Sequence, residues 1–136
     1  GIGRGQLSVL KERVNSRRSN FEFYEKSLRV LPGIDFMPEA EFGRSNRWLT
    51  CITIDPALFG KDREYVRLAL EKENIEARPA WKPLHLQPVF KDYPFYGTRV
   101  SEEIFDNGLC LPSGSNLKED DLGRVVDVFR RVFDNC

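Results

Sequence analysis

Several side chains and patterns are scarce in this chain, and each scarcity excludes something. The 136 residues include one histidine and three cysteines, and Lys+Arg 21 balance Asp+Glu 21. With no excess of either charge, the chain lacks the basic footprint of a nucleic-acid binder, and no polyanionic partner is expected. No run of 18 apolar residues occurs, and the opening "GIGRGQLSVLKERV" lacks the apolar stretch of a signal peptide, so no membrane partner is expected and the chain reads as soluble and cytoplasmic. There is no internal repeat, low-complexity tract or long linker, which predicts a single compact domain over residues 1–136.

Cys51, Cys110 and Cys136 are odd in number and widely spaced, which argues against a disulfide framework or a CxxC metal clip. They are expected to be reduced thiols. Cys51 and Cys110 each sit in an apolar, strand-like run, where a small buried hydrophobe is the simplest role. A Cys/His dyad would have only His85 to draw on, and spacing neither supports nor removes it.

What the chain does have is globular: 40% hydrophobic and 31% charged residues. Leu7, Leu10, Val14, Phe21, Tyr24, Leu28 and Leu31 recur at helical steps, broken only at Arg17, and predict a long amphipathic helix stopped by Pro32-Gly33. At about 25 residues it would be about 37 Å long, more than a domain of this size needs for itself, which implies a neighbour. "RWLTCITID" reads as a covered strand closed by Pro56, "DREYVRLALEKEN" as a helix, and "NIEARP" as a short strand ended by Pro79. A short helix capped by Ser101 should run to Phe105 and end at Asn107-Gly108, ahead of a third strand in "LCLP". Asn116 with Glu119 resembles a capping box before a last helix striped by Leu122, Val125, Val126, Phe129, Val132 and Phe133. These elements predict an α+β fold: a small three-stranded, mainly antiparallel sheet covered by helices, with a long N-terminal helix.

Three stretches invite a functional reading. "GIGRG" has no preceding strand and lacks the third glycine of a dinucleotide loop, so it reads as a glycine-rich entry into the first helix. "LPSGSN" suits either an anion at a helix N-terminus or an ordinary turn, and the turn is the simpler. "RPAWKPLHLQPVF", residues 78–90, is the richest. Its three prolines stiffen a loop that offers the Arg78 fork, the Trp81 plate, the His85 imidazole and the Gln87 amide, a set suited to a phosphorylated or sugar-like ligand. The competing reading has Trp81, Leu84, Leu86 and Phe90 plugging the core while Arg78 and His85 make structural hydrogen bonds. Residue types leave the two even.

"GIGRGQL", "SNRWLT", "NIEARPAWKPLHLQPVF", "SEEIFDNGLCLPSGSNL" and "EDDLGRVVDVF" together resemble, in one order along nearly the whole chain, the C-terminal portion of the pyridoxal-phosphate-dependent sugar aminotransferases. These are the DegT/DnrJ-like family of fold-type I enzymes. The resemblance is closest to the branch acting on nucleotide-linked 4-keto-6-deoxy sugars in bacterial polysaccharide or glycan synthesis. It implies that residues 1–136 are a C-terminal small domain, partnered by its own large N-terminal domain and by a second copy in a homodimer. The large domain would hold pyridoxal phosphate through a lysine and would be absent from this chain. Lys11, Lys26, Lys61, Lys72, Lys82, Lys91 and Lys118 do not match the family's cofactor-lysine motif. No catalytic, cofactor-binding or metal-binding residue is therefore assigned here, and the chain alone is expected to catalyse nothing. His85 matches the family position best placed to contact substrate or its phosphates, and Arg78 and Trp81 match neighbouring positions of the same wall. Two alternatives accompany this reading. One is a relative in which histidine replaces the cofactor lysine and the sugar is dehydrated; the other is a non-catalytic binding module.

Overall fold

The computed structural model describes residues 1–135, so Cys136 and its expected free thiol lie outside the described residues. Helix α1 (Ile2–Leu28) has 27 residues, about 40 Å at 1.5 Å per residue. Burial is confined to its C-terminal half: Asn20, Phe21, Tyr24 and Leu28 are buried, whereas Ile2, Leu7 and Leu10 are exposed. The expected excess of length is real. The chain then turns at Gly33, whose φ of +80° suits glycine and whose missing Cβ would lie 2.8 Å from the Asp55 carbonyl oxygen and from the Phe59 nitrogen.

β1 (Ile34–Phe36) and β2 (Thr50–Ile54) follow, separated by the loop 37–49. Pro56 ends β2 by opening the short α2 (Pro56–Phe59), capped by the Asp55 carboxylate accepting from the Ala57 N–H at 2.8 Å. α3 (Arg63–Lys72) is capped by Asp62, which accepts from the Tyr65 N–H at 2.7 Å. β3 (Arg78–Pro79), two 3₁₀ turns (Leu84–Leu86 and Pro88–Phe90), α4 (Val100–Asn107), β4 (Gly108–Leu111) and α5 (Glu119–Asp134) complete the chain.

The sheet has four antiparallel strands in the order β1-β2-β4-β3. It is the expected α+β, antiparallel sheet with one strand more than the three read from sequence. The extra strand, β1, pairs Ile34 with Ile54 and Phe36 with Ile52. β3 carries Pro79 at the sheet's edge, where a missing donor costs the ladder nothing.

Two predicted caps are placed differently. α4 begins one residue before Ser101, with Arg99 at its N-cap and no side-chain cap; Glu102 and Glu103 in the first turn suit the helix dipole instead. The Asn116–Glu119 box does not form. Leu117 donates back to the Gly114 carbonyl in a turn, and the Asp121 carboxylate accepts from the Lys118 N–H at 3.0 Å at the start of α5.

Side chains alternate across the strands, so the two faces differ. Ile34, Phe36, Ile52, Ile54, Leu109 and Leu111 join α1, α3 and α5 in one core, in which Phe59 and Phe129 are fully buried and meet edge to face at 6.3 Å. The opposite face carries Cys51, Thr53, Gly108 and Cys110. There a Cβ on Gly108 would collide with the Ile104 carbonyl oxygen of α4 and crowd Ala80. This second face has a thin cover. None of residues 81–107 is buried.

Candidate functional site

The cover of the second face is built from the two loops that flank β2 and β3. Arg17 reaches out of α1 and donates to the Trp48 carbonyl at 2.5 Å and to the Ser113 carbonyl at 3.0 Å. That explains why an arginine breaks the apolar stripe of α1. Successive turns of α1 continue the clamp: Asn20 donates to the Gly114 carbonyl at 2.9 Å and the Tyr24 hydroxyl to the Pro112 carbonyl at 3.0 Å. The carbonyls of residues 112–114 are thus all held by one helix. Burial pushes the Tyr24 phenol up, so it stays a neutral donor.

Loop 37–49 is fastened as firmly. Arg18 and Glu39 meet at 2.8 Å, Glu39 accepts from the Ser45 N–H at 2.6 Å, and Arg18 donates to the Ser45 carbonyl at 2.6 Å. Those contacts, the Arg18 hydrogen bond first and the Ser45 amide second, hold the Glu39 carboxyl down to about 2. Arg47 is buried, donates to the Met37 carbonyl at 2.8 Å, lies 3.7 Å over the Phe21 ring, and has a positive φ of 49°. The next residue is Trp48. A backbone tied down on both sides presents that indole outward, 59% exposed.

Trp48 stacks on Trp81, with ring centroids 6.2 Å apart and planes 28° apart. The two indoles line a cleft of about 320 Å³ together with Arg78, Glu76, Pro79 and Cys110. Arg78 bonds the Glu76 carboxylate at 2.6 Å, with both side chains largely exposed. An ion pair so open to water holds its partner weakly and leaves the guanidinium free to exchange it for an anionic ligand.

The three residues singled out from sequence therefore divide. Arg78 and Trp81 share the cleft. His85, in the first 3₁₀ turn, is not among its lining residues; its ring lies 3.7 Å from Phe95 in a stack, and Nε2 is 3.2 Å from a Glu102 carboxylate oxygen on α4. Gln87 donates to the Lys82 carbonyl at 3.3 Å. The core-plug reading of this segment fails for its apolar members, since Trp81 and Leu84 are two-thirds exposed and Leu86 and Phe90 remain open. Its hydrogen-bonding half holds, because Arg78 and His85 each have a carboxylate partner.

"LPSGSN" is a turn. Ser113 is buried, accepts from the Thr50 N–H at 2.7 Å and donates to the Leu111 carbonyl at 2.8 Å, which commits its hydroxyl in both directions. Trp48 was missed as a site residue. Its signal was a large indole next to a strand-like run, directly after Arg47.

Fold and surface together define a small α+β unit with one finished face and one face built from a fastened aromatic cleft. The chain belongs to the DegT/DnrJ/EryC1/StrS aminotransferase family, whose match covers residues 1–130. It is 49% identical over 137 residues to EpsN of Bacillus subtilis (strain 168), provisionally named a pyridoxal phosphate-dependent aminotransferase, a match covering 98% of this chain and 34% of that protein. A GDP-perosamine synthase of Caulobacter vibrioides is 27% identical over 132 residues, covering 96% of this chain and 35% of its own length. Among solved structures, DesI crystallised in the presence of its TDP-sugar product superposes with a TM-score of 0.83 at 27% identity, over 93% of this chain and 33% of DesI. The chain thus spans about a third of the length of the relatives it matches.

Proposed function

We propose that residues 1–136 are the C-terminal small domain of a pyridoxal-phosphate-dependent aminotransferase that transfers an amino group to a nucleotide-linked keto sugar. The observation that carries this reading is the Trp48–Trp81 cleft beside Arg78, on the open face of a chain one third the length of its relatives. An indole pair suits the flat face of a base or sugar ring, and a guanidinium suits a diphosphate. His85, oriented by Glu102 and Phe95, stands as a further donor towards the same ligand on a wall completed by the large domain.

On this reading the cofactor's lysine lies in the large domain and not in this chain. None of its seven lysines is buried, and none lines the cleft. When held by the large domain, pyridoxal phosphate would supply the electron sink for amino transfer. What this chain contributes is positioning: Trp48 and Trp81 orient the nucleotide-sugar, Arg78 and His85 meet its charge, and the closed pair of domains keeps water from the reacting carbon. The same reading makes the protein a cytoplasmic homodimer.

The test uses the protein in its natural length with pyridoxal phosphate, L-glutamate and a panel of nucleotide-linked 4-keto-6-deoxy sugars. Formation of an amino sugar with matching 2-oxoglutarate supports the reading; a dehydrated sugar without consumption of glutamate replaces it with the dehydratase alternative. Trp81→Ala and His85→Ala should each lower kcat/KM by about tenfold, as loss of one stacking or charged contact would. The cofactor's absorbance should not change. Unchanged kinetics would return both residues to a purely structural role.

A further inference from the structure

The face that bears the cleft also brings two thiols together. Cys51 on β2 and Cys110 on β4 are register partners, and their sulfurs lie 3.6 Å apart. The Met37 N–H donates to the Cys51 carbonyl, so the backbone groups of Cys51 turn towards β1. On β4 the Gly108 carbonyl accepts from Ala80 N–H, towards β3, and Cys110, two residues on, turns the same way. Cys51 and Cys110 are therefore a non-hydrogen-bonded pair, the closer of the two kinds in an antiparallel ladder, with Cα atoms about 4.5 Å apart. Disulfides span Cα separations of about 4.4–6.8 Å, and these sulfurs need to close by roughly 1.5 Å to reach bonding distance. Side-chain rotation can supply that. Cys51 is half-buried and Cys110 lines the cleft, so the pair is approached from the open side.

We propose that Cys51 and Cys110 form a redox-active dithiol that a hydroperoxide converts to a disulfide tying β2 to β4 across the floor of the cleft. The Cys51 thiolate attacks one peroxide oxygen; an S–O bond forms, the O–O bond breaks, and the released alkoxide or hydroxide takes a proton. Cys51 is then a sulfenic acid, oxidised by two electrons. Cys110 attacks the Cys51 sulfur, an S–S bond forms, the S–O bond breaks, and hydroxide leaves as water with the Cys110 proton. Two thiols and one hydroperoxide thus become a disulfide, an alcohol or water, and a second water.

The two sulfurs share a hydrogen bond. Either sulfur can donate in that bond, and exposure sets the order of attack: Cys51 is half-buried and Cys110 buried, so the peroxide meets Cys51 first, in the same sense as the shared S–H lowering the Cys51 thiol and, with burial, raising that of Cys110. This inference does not depend on the substrate assigned above. It concerns one face of the sheet whatever ligand the cleft takes.

The experiment treats the protein, in its natural length, with stoichiometric hydrogen peroxide, blocks free thiols by alkylation and maps tryptic peptides. The expected product is a crosslink between peptides 48–61 and 100–118, which contain Cys51 and Cys110, released by dithiothreitol. In Cys110→Ser the sulfenic acid has no resolving thiol, and its dimedone adduct at Cys51 should exceed the wild-type level by about fivefold or more. In Cys51→Ser, Cys110 should stay reduced. Two unmodified cysteines, a Cys51 sulfinate without crosslink, a crosslink to any other cysteine, or equal dimedone labelling in wild type and Cys110→Ser would each overturn the proposal.

Discussion

The two faces of the sheet are built to different standards. On one, Ile34, Phe36, Ile52, Ile54, Leu109 and Leu111 lie under three helices, and α5 alone buries six side chains. On the other, residues 81–107 bury none, and two indoles stack with more than half of each in the open. The first face contains what a domain needs to fold. On the second, loop 37–49 and residues 112–114 are fastened by polar ties to α1, while residues 81–107 stay open, as expected of a surface shaped for something outside itself.

The sharpest way to break that contrast is to truncate one ring on each face. Phe129→Ala removes a fully buried ring that contacts Phe59, and it should cost about 3–5 kcal/mol in urea unfolding. Trp81→Ala removes a larger side chain from the open face and should cost under about 1 kcal/mol in the same measurement. If Trp81→Ala destabilised as strongly as Phe129→Ala, the open face would be a second core and the contrast would fall.

The same division separates what could be read from the sequence from what could not. Leu122, Val125, Val126, Phe129 and Val132 lie on α5 as their spacing requires, and all are buried. That face is legible because helical periodicity is local. β1 was missed because Ile34–Phe36 gives only two apolar positions around Asp35, too short for a pattern, and its pairing with β2 crosses a 13-residue loop. The open face is not local at all. Stiffness and ring content in "RPAWKPLHLQPVF" were legible, but the Trp48–Trp81 stack, the Arg17 bonds to Trp48 and Ser113, and the Cys51–Cys110 pair depend on strand register. The break in the α1 stripe at Arg17 was visible, whereas its cause lay on two other segments.

Arg17 tests whether polar ties do on the open face what packing does on the other. Arg17→Met keeps the aliphatic stem and removes the donors to the Trp48 and Ser113 carbonyls. The expected loss is about 1–3 kcal/mol, smaller than that for Phe129→Ala, because carbonyls at the edge regain some water. Tryptophan emission should shift as the Trp48–Trp81 stack loosens. A full loss of stability with unchanged emission would make Arg17 a core residue and not a positioner of the cleft.

The smallest expected effect lies in the loop that carries Trp48, and it is a matter of pH. The Glu39 carboxyl falls from an ordinary 4.5 to about 2 in the folded chain, through the Arg18 hydrogen bond first and the Ser45 amide second. A depressed carboxyl stabilises the fold fully above its unfolded value and loses that contribution as pH falls through the folded one. The window is therefore from about 4.5 down to about 2. Both side chains keep part of their surface open to water, 21% for Arg18 and 29% for Glu39, and water screens the pair enough that its effect falls mainly on local order. Hydrogen exchange across residues 37–49 should show wild-type protection at Ser45 eroding through that window. In Glu39→Gln, protection should already be reduced at neutral pH and should change little on acidification. Matching pH profiles for the two proteins would mean that packing of Arg47 on Phe21, and not the carboxylate, holds Trp48 in the cleft.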